Sequence, residues 1–155
     1  MATIGEGDLA PNFSLESQDG TEISLADYRG SAVVVLYFYP KDDTPVCTKE
    51  ACAFRDSHED FTDAGAVVIG VSDDNAASHR SFASKHALPF HLVCDPGQAV
   101  RKAYGVPRTL GIMPGRVTYV IDREGIVRHV TNSQLFAGRH VNEALETVRR
   151  LTATP

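Results

Sequence analysis

Short apolar runs alternate with amphipathic stretches along the chain, and this pattern predicts its secondary structure. Five apolar runs have the length of strands and contain many β-branched and aromatic residues; they cover residues 32–39, 66–72, 90–94, 117–122 and 126–131. Residues 32–39 are apolar throughout, without alternation, which is typical of a central strand that is covered on both faces.

Helices are predicted between these strands from the 3.6-residue spacing of apolar positions. They cover residues 45–62, 75–86 and 141–151, with a helical turn at 98–104. Ser72 or Asp73 is expected to cap the second helix. Strands that alternate with helices indicate an α/β fold with a mixed central sheet, mostly parallel with an antiparallel end, and with helices on both faces.

A β-hairpin is predicted ahead of the main sheet. Its strands cover residues 12–16 and 22–24, and the turn Gln18-Asp19-Gly20 joins them. A helical turn at 25–28 is expected to follow. Before the strand at 117 we expect a loop rich in proline and glycine, with Pro107, Gly111, Pro114 and Gly115.

Composition and charge restrict the class of protein. The 155 residues suit one domain, residues 1–155, which is large enough to bury a core. A formal charge of −5 argues against nucleic acid or a membrane surface as partners. The longest apolar run, at 32–39, is too short to span a bilayer. Residues 1–11 lack the features of a signal peptide, so we expect a cytoplasmic protein.

The segment from Pro40 to Cys47 combines the signals of a helix start with a cysteine. The chain has three cysteines, and in a reducing compartment such residues are more often redox-active than structural. Thr44 is a preferred N-cap, and Pro45 suits the first helical position. Cys47 then lies in the first turn, where unpaired N–H groups and the helix dipole favour a thiolate. We interpret Cys47 as a nucleophile.

Helical geometry places the two cysteines of this segment on different faces. At about 100° per residue, the apolar stripe within roughly 40° of Cys47 consists of Ala51, Phe54, His58 and Phe61. Cys47 should therefore face the sheet in a recess, whereas Cys52 lies about 140° away on the polar face. Their Cα atoms would be roughly 8.7 Å apart, but bridged cysteines need less than about 7 Å. A disulfide between them would require the helix to unwind locally.

Pro40, Thr44 and Cys47 reproduce the P-x-x-x-T-x-x-C signature of the peroxiredoxins, and the chain resembles that family. Residues 37–56 are similar to the Q-type subgroup, the bacterioferritin comigratory proteins of the AhpC/TSA family, and the similarity extends through nearly the whole chain. The resemblance implies a thioredoxin-like fold with an N-terminal extension. It also implies a thiol peroxidase for hydrogen peroxide and organic hydroperoxides, acting in antioxidant defence.

By the same resemblance, Cys47 would be the peroxidatic cysteine and Cys52 the resolving cysteine, joined to it in an intramolecular disulfide. Thr44 would hydrogen-bond the thiolate and the peroxide, and Pro40 would shield the pocket from water. Arg116 would pair with the thiolate and orient the substrate.

Peroxide reduction needs fixed donors for the charge that grows on the leaving oxygen. Besides the Thr44 hydroxyl, the expected donors are the N–H groups of Val46 and Cys47 and, by the resemblance, the Arg116 guanidinium, which Glu50 would help to hold. The resemblance also implies that thioredoxin, or alternatively glutaredoxin, restores both thiols. The mechanism needs no metal or other cofactor, and we expect a monomer or a weak homodimer.

Two other functions stay open at this point. A thiol-disulfide oxidoreductase usually carries C-x-x-C, but four residues separate Cys47 from Cys52. A metal-binding or redox-sensing partner protein would need ligands, and the six histidines form no compact motif with the cysteines. Cys94 lies outside the signature and is interpreted as a buried thiol at a strand end, with an alternative resolving cysteine or an accessory redox site as the other interpretation. Val46 stands where many relatives have glycine, and a β-branched residue makes this turn stiffer.

Overall fold

The computed structural model describes residues 3–106, 108–109, 113–133 and 136–152. Its strands are β1 (Ser14–Glu16), β2 (Glu22–Ser24), β3 (Val33–Phe38), β4 (Ala66–Ser72), β5 (His91–Cys94), β6 (Arg108–Thr109), β7 (Met113–Pro114), β8 (Val117–Ile121) and β9 (Val127–Asn132). Its helices are α1 (Pro45–Asp56), α2 (His58–Asp63), α3 (Ala76–His86), α4 (Ala99–Tyr104) and α5 (Ala137–Thr152), with 3₁₀ turns at Leu25–Tyr28 and Pro96–Gln98. No helix in these ranges is long and apolar enough to cross a membrane.

A mixed sheet of five strands lies at the centre, in the order β5-β4-β3-β8-β9. β3, β4 and β5 are parallel neighbours, whereas β8 runs antiparallel to β3 and β9 runs antiparallel to β8. β1 and β2 form a separate antiparallel hairpin. The predicted sheet, its antiparallel end and the N-terminal hairpin are confirmed.

β3 is buried along its whole length and supplies both layers of the core. Its side chains alternate between the faces of the sheet, as strand geometry requires. Val35 and Tyr37 pack against α1, α2, α3 and α5 on one face. Leu36 and Phe38 pack on the other face against α4 and the N-terminal segment around Phe13. Helices are present on both faces, as predicted. On the face of Leu36 and Phe38, the N-terminal segment covers the sheet together with α4.

The predicted helix at 45–62 is divided into α1 and α2. At Ser57, φ is −101° and ψ is 5°, so the chain leaves the helical conformation for one residue. Phe54 and Phe61 lie on either side of this break; both are fully buried, with ring centroids 5.9 Å apart. The break turns α2 against β4 while both rings stay in the core.

The N-cap of α3 also differs from the prediction. Asn75 caps this helix, because its side-chain oxygen accepts the Ser78 N–H at 2.9 Å. Ser72 is still part of β4, and its hydroxyl donates to Asp74, which follows Asp73 in the turn. The prediction that Ser72 or Asp73 caps α3 is therefore wrong: Ser72 ends β4, and Asp73 lies in the turn before the helix.

α5 begins at Ala137, four residues earlier than the predicted start at 141. Its first turn is buried through Ala137 and His140, residues that do not produce a strong apolar pattern in the sequence. Of the loop predicted before β8, Pro107 and Gly111 lie outside the described residues. Within that loop the short strands β6 and β7 pair with each other.

The N-terminal segment covers both edge strands of the sheet. At β5, the backbone and side chain of Gln18 exchange hydrogen bonds with Leu92. At β9, Gly7 donates to the Val127 carbonyl and Val127 donates to the Asp8 carbonyl. These bonds occupy edge groups that would otherwise be free to pair with another chain.

A buried pair ties the loop between β3 and α1 to the rest of the fold. Asp42 Oδ2 lies 2.7 Å from His79 Nδ1 of α3, and Asp42 also accepts the Tyr39 and Ser78 hydroxyls. His79 Nε2 lies 3.1 Å from the Val93 carbonyl, which only accepts, so this nitrogen carries a proton. A second proton is shared between Nδ1 and Oδ2, and the pair holds the loop against α3 and β5.

Asp42→Asn should lower the free energy of unfolding by about 3 kcal/mol, because it leaves His79 without its buried carboxylate. The neighbouring Asp43→Asn is the matched control. Asp43 pairs with Lys85 at the surface, 3.1 Å apart, and such exposed pairs contribute under about 1 kcal/mol. Urea denaturation measures both variants. Equal losses would contradict a special role for the buried pair.

Candidate active site

The C-terminal end of β3 lies beside the N-terminal end of β8, in the middle of the sheet. The candidate site lies at these strand ends. The two strands are antiparallel, so Phe38, the last residue of β3, pairs with Val117, the first of β8. The loop after β3 carries Pro40 and leads into α1, and Arg116 immediately precedes β8. The topology therefore brings Arg116 to the first turn of α1.

α1 starts where the sequence predicts, with one difference in its cap. Thr44 is extended, with φ −93° and ψ 154°, and Pro45 opens the helix. The Thr44 hydroxyl makes no capping bond and donates instead to the Lys41 carbonyl at 2.9 Å. The N–H groups of Val46 and Cys47 in the first turn therefore keep their capacity to bind an anion.

Cys47 lies in a recess between α1 and the sheet. Its side chain is 1% exposed and belongs to the same core cluster as Ala51 and Phe54. Tyr37 of β3 stacks on Phe54 with ring centroids 4.6 Å apart, which holds α1 against the sheet. A Cβ at Gly70, opposite Tyr37 in β4, would lie 2.8 Å from the tyrosine ring, so glycine there makes room for it.

The Arg116 guanidinium joins Cys47 to Glu50. Nη2 donates to the Cys47 sulfur at 3.2 Å, and Nη1 donates to Glu50 Oε1 at 2.6 Å. Arg116 is only 2% exposed. Burial alone would lower the pKa of Arg116, but the charges of Glu50 and Cys47 raise it. The guanidinium stays charged and stabilises a thiolate beside it.

Glu50 is fully buried behind Arg116. Burial raises the pKa of Glu50 to about 7, although the Arg116 charge acts in the opposite direction. His140 of α5 lies beyond it, with Nδ1 3.6 Å from Glu50 Oε2 and 2.7 Å from the Thr118 hydroxyl. Burial lowers the pKa of His140 to about 4, so its ring is neutral at pH 7. Cys47, Arg116, Glu50 and His140 thus form a continuous buried layer.

The remaining predicted residues lie outside this layer. Pro40 is half-buried in the loop after β3, as is Val46 in α1. Cys52 is half-buried rather than fully outward, and Arg55, on the same side of α1, donates to the His86 carbonyl. Cys94 is a half-buried thiol at the end of β5, where burial raises its pKa.

Sequence reasoning missed His140, Thr118 and His79. His79 shares the buried stripe of α3 with Phe82, three residues further on, and that spacing was a usable signal. His140 and Thr118 come from elements far apart in the chain, and no motif marks them. Only the fold brings them to Glu50.

Asp42, Asp74 and His79 each place one ligand atom within 4.8 Å of the others, the spacing a metal site needs. The 2.7 Å contact between Asp42 and His79 is a hydrogen bond, however, and Asp74 Oδ2 accepts the Asp42 N–H and the Ser72 hydroxyl. These groups satisfy one another without an ion, so we assign them a structural role.

Comparison with known proteins agrees with this geometry. Residues 6–130 match the model of the AhpC/TSA family. Chloroplastic peroxiredoxin Q of Triticum aestivum is 51% identical over 149 residues, which cover 96% of this chain and 68% of that protein. The chain belongs to the AhpC/TSA family, in its peroxiredoxin Q subgroup. Membership confirms the peroxidase activity that the sequence signature predicts.

Solved structures of other peroxiredoxins share the fold. Peroxidoxin BcpB of Mycobacterium tuberculosis superposes with a TM-score of 0.88 at 34% identity, covering 96% of this chain and 98% of that one. The bacterioferritin comigratory protein of Xanthomonas campestris, studied for alkyl peroxide reduction, gives 0.81 at 30% identity, covering 91% and 92%. The thioredoxin-like fold is confirmed. The plant relative is named chloroplastic, so a cytoplasmic location stays a prediction for this peroxiredoxin.

The raised pKa of Glu50 predicts a specific pH dependence of stability. Between pH 4.5, its ordinary value, and about 7, the folded protein binds the Glu50 proton more tightly than the unfolded chain does. The free energy of unfolding should therefore fall as the pH rises through this window, by about 3 kcal/mol at about 1.4 kcal/mol per unit.

Glu50→Gln should remove this loss, because the amide resembles the protonated acid at every pH. The difference in unfolding free energy between wild type and Glu50→Gln, measured by urea denaturation at several pH values, isolates the effect. Glu59→Gln, at an exposed position on α2, is the control and should behave as wild type does. A pH-independent difference between wild type and Glu50→Gln would contradict the prediction.

Proposed function

We propose that this peroxiredoxin reduces hydroperoxides through a Cys47 sulfenic acid, which Cys52 resolves as an intramolecular disulfide and which a dithiol protein recycles. The observation that carries the proposal is the 3.2 Å hydrogen bond from Arg116 Nη2 to the Cys47 sulfur, in a recess at a helix N-terminus. A charged donor and first-turn N–H groups together favour the thiolate, against the opposing effect of its burial.

In the first step the Cys47 sulfur attacks one peroxide oxygen, and negative charge grows on the other. Arg116 and the N–H groups of Val46 and Cys47 are the proposed donors for that charge. The Thr44 hydroxyl has a single proton, so it must leave the Lys41 carbonyl to join them. Pro40, half-buried next to this loop, is proposed to limit the access of water to the pocket.

In the second step Cys52 attacks the Cys47 sulfenic acid and releases water. Both cysteines are in α1, five residues apart, so an intact helix keeps them too far apart to bond. The sulfenic acid is neutral, and its formation weakens the attraction between Cys47 and Arg116. This weakening supports an unwinding of α1 after oxidation. Val46 makes the unwinding turn stiffer than glycine would.

Recycling of the disulfide is assigned to thioredoxin, with glutaredoxin as the alternative reductant. The proposed substrates are hydrogen peroxide and organic hydroperoxides, the second supported by the alkyl peroxide reduction reported for the Xanthomonas campestris relative. Antioxidant defence is the corresponding cellular role.

Hydroperoxide consumption with a thioredoxin system tests the function. Wild type should turn over, Cys47→Ser should fall to the uncatalysed background, and Cys52→Ser should lose thioredoxin-supported turnover. Cys94→Ser is the matched control and should keep wild-type activity, because Cys94 lies outside the buried layer. An active Cys47→Ser protein would overturn the proposal. Turnover retained in Cys52→Ser would move the resolving role elsewhere.

Amide hydrogen exchange tests the unwinding. Oxidation of wild type with one equivalent of peroxide should lower the protection of amides 44–56, whereas amides of the buried β3 should keep theirs. Cys52→Ser stops at the sulfenic acid and cannot trap the unwound helix as a disulfide, so it should lose less α1 protection than wild type after the same treatment. Unchanged protection in oxidised wild type would rule out a disulfide that needs local unfolding.

A further inference from the structure

One oxygen of Glu50 has no hydrogen-bond partner among the described residues. Oε1 accepts from Arg116, but Oε2 is buried and unpaired. It faces His140 Nδ1 at 3.6 Å. Leaving a buried acceptor without a donor costs about 1–3 kcal/mol, and more for a charged group. The site therefore accommodates an ionised Glu50 poorly.

The tautomer of His140 follows from its own hydrogen bonds. Nε2 lies 2.6 Å from the Ser133 carbonyl oxygen, which only accepts, so Nε2 carries the ring proton. Nδ1 is then unprotonated, and its lone pair accepts a hydrogen bond from the Thr118 hydroxyl at 2.7 Å. The electron-rich Nδ1, 3.6 Å from Glu50 Oε2, repels a carboxylate more strongly than a neutral carboxyl group.

The charges around Arg116 also favour a protonated Glu50 when Cys47 is a thiolate. If Cys47 is a thiolate and Glu50 is ionised, two anions share one guanidinium, and these three side chains carry a net negative charge in a buried site. Protonation of Glu50 brings the net charge of the three side chains to zero. When Cys47 is neutral, the net charge is zero if Glu50 is ionised.

Tyr37, Arg139 and Glu143 are other titratable groups near this site. Tyr37 of β3 stays protonated, because burial raises its pKa well above the usual value. Arg139 and Glu143 of α5 act on His140 from nearer the surface, where they pair with each other.

We propose that Glu50, whose carboxyl group lies between the Arg116 guanidinium and the electron-rich Nδ1 of His140, is the proton store of the site: it is protonated while Cys47 is a thiolate and ionised when Cys47 is neutral. This proposal rests on the function proposed above. The Cys47 sulfur bonds to the distal peroxide oxygen, the O–O bond breaks, the sulfur loses two electrons and an alkoxide leaves. Glu50 gives up its proton as the alkoxide takes one up, so protons and charge balance. The products are Cys47 sulfenic acid, ionised Glu50 and an alcohol.

The store refills when the cysteines are reduced. Disulfide formation with Cys52 releases water and no net proton. A dithiol then reduces the disulfide, becomes oxidised itself and leaves Cys47 as a thiol. Transfer of the thiol proton to Glu50 regenerates the thiolate. His140 is a positioning residue in this cycle, because its Nδ1 disfavours ionised Glu50 without touching the substrate.

NMR of protein with ¹³C-labelled glutamate carboxyl groups tests the proposal on reduced wild type and on Cys47→Ser, with Glu50→Gln to assign the signal. At a pH where the ultraviolet absorbance of the thiolate is fully developed, wild-type Glu50 should be protonated. In Cys47→Ser, whose hydroxyl is neutral, the Glu50 midpoint should fall by about one pH unit or more. The exposed Glu146 of α5 is the internal control and should titrate alike in both proteins.

An ionised Glu50 beside the thiolate, or equal Glu50 midpoints in the two proteins, would overturn the proton store. ¹⁵N spectra of labelled histidine should show His140 as the neutral Nε2–H tautomer, and an imidazolium at pH 7 would overturn it equally. These spectra do not depend on turnover. A protein with linked titrations and no peroxidase activity would therefore refute the proposed function and leave the store intact.

Discussion

Arg116 places one buried positive charge between the Cys47 sulfur and the Glu50 carboxyl group, 3.2 and 2.6 Å away. Ionisable groups are unfavourable in a protein interior unless each charge is compensated, so none of the three can be understood without the others. Much of the fold serves this contact. β3 and β8 bring Arg116 to the first turn of α1, the Tyr37–Phe54 stack holds α1 on the sheet, and α5 closes the layer with His140.

The loop before α1 and the helix itself depend on different interactions. Asp42 anchors the loop through a buried hydrogen-bond network to α3, which does not involve Cys47. The first turns of α1 depend on apolar packing and on the contact between Cys47 and Arg116. In the proposed mechanism, oxidation neutralises Cys47 and so weakens its contact with Arg116, whereas the Asp42 network keeps its charge. In this mechanism the anchored loop would limit unwinding to the residues that follow Thr44.

Much of this arrangement could be predicted from the sequence, because local patterns determine it. The apolar run at β3, the Thr44-Pro45 helix start and the apolar stripe of α1 fixed the strand, the position of Cys47 and its burial. Arg116 and Glu50 were named by the resemblance to the peroxiredoxins and not by a local pattern. The break at Ser57 and the cap at Asn75 were missed, because packing and competing local hydrogen bonds decide them. His140, Thr118 and the Asp42–His79 pair were missed because their partners lie far away in the chain, and a single sequence carries no signal for such contacts.

The central claim is that the Cys47 thiolate held by Arg116 is the group that peroxide oxidises. A single-turnover experiment on reduced Cys52→Ser tests it most directly: one equivalent of hydroperoxide is added with a reagent that traps sulfenic acids, and mass spectrometry locates the adduct. The account predicts an adduct on Cys47, formed rapidly and in stoichiometric amount, and none on Cys94. An adduct on Cys94, or unmodified Cys47 after the peroxide is consumed, would contradict it.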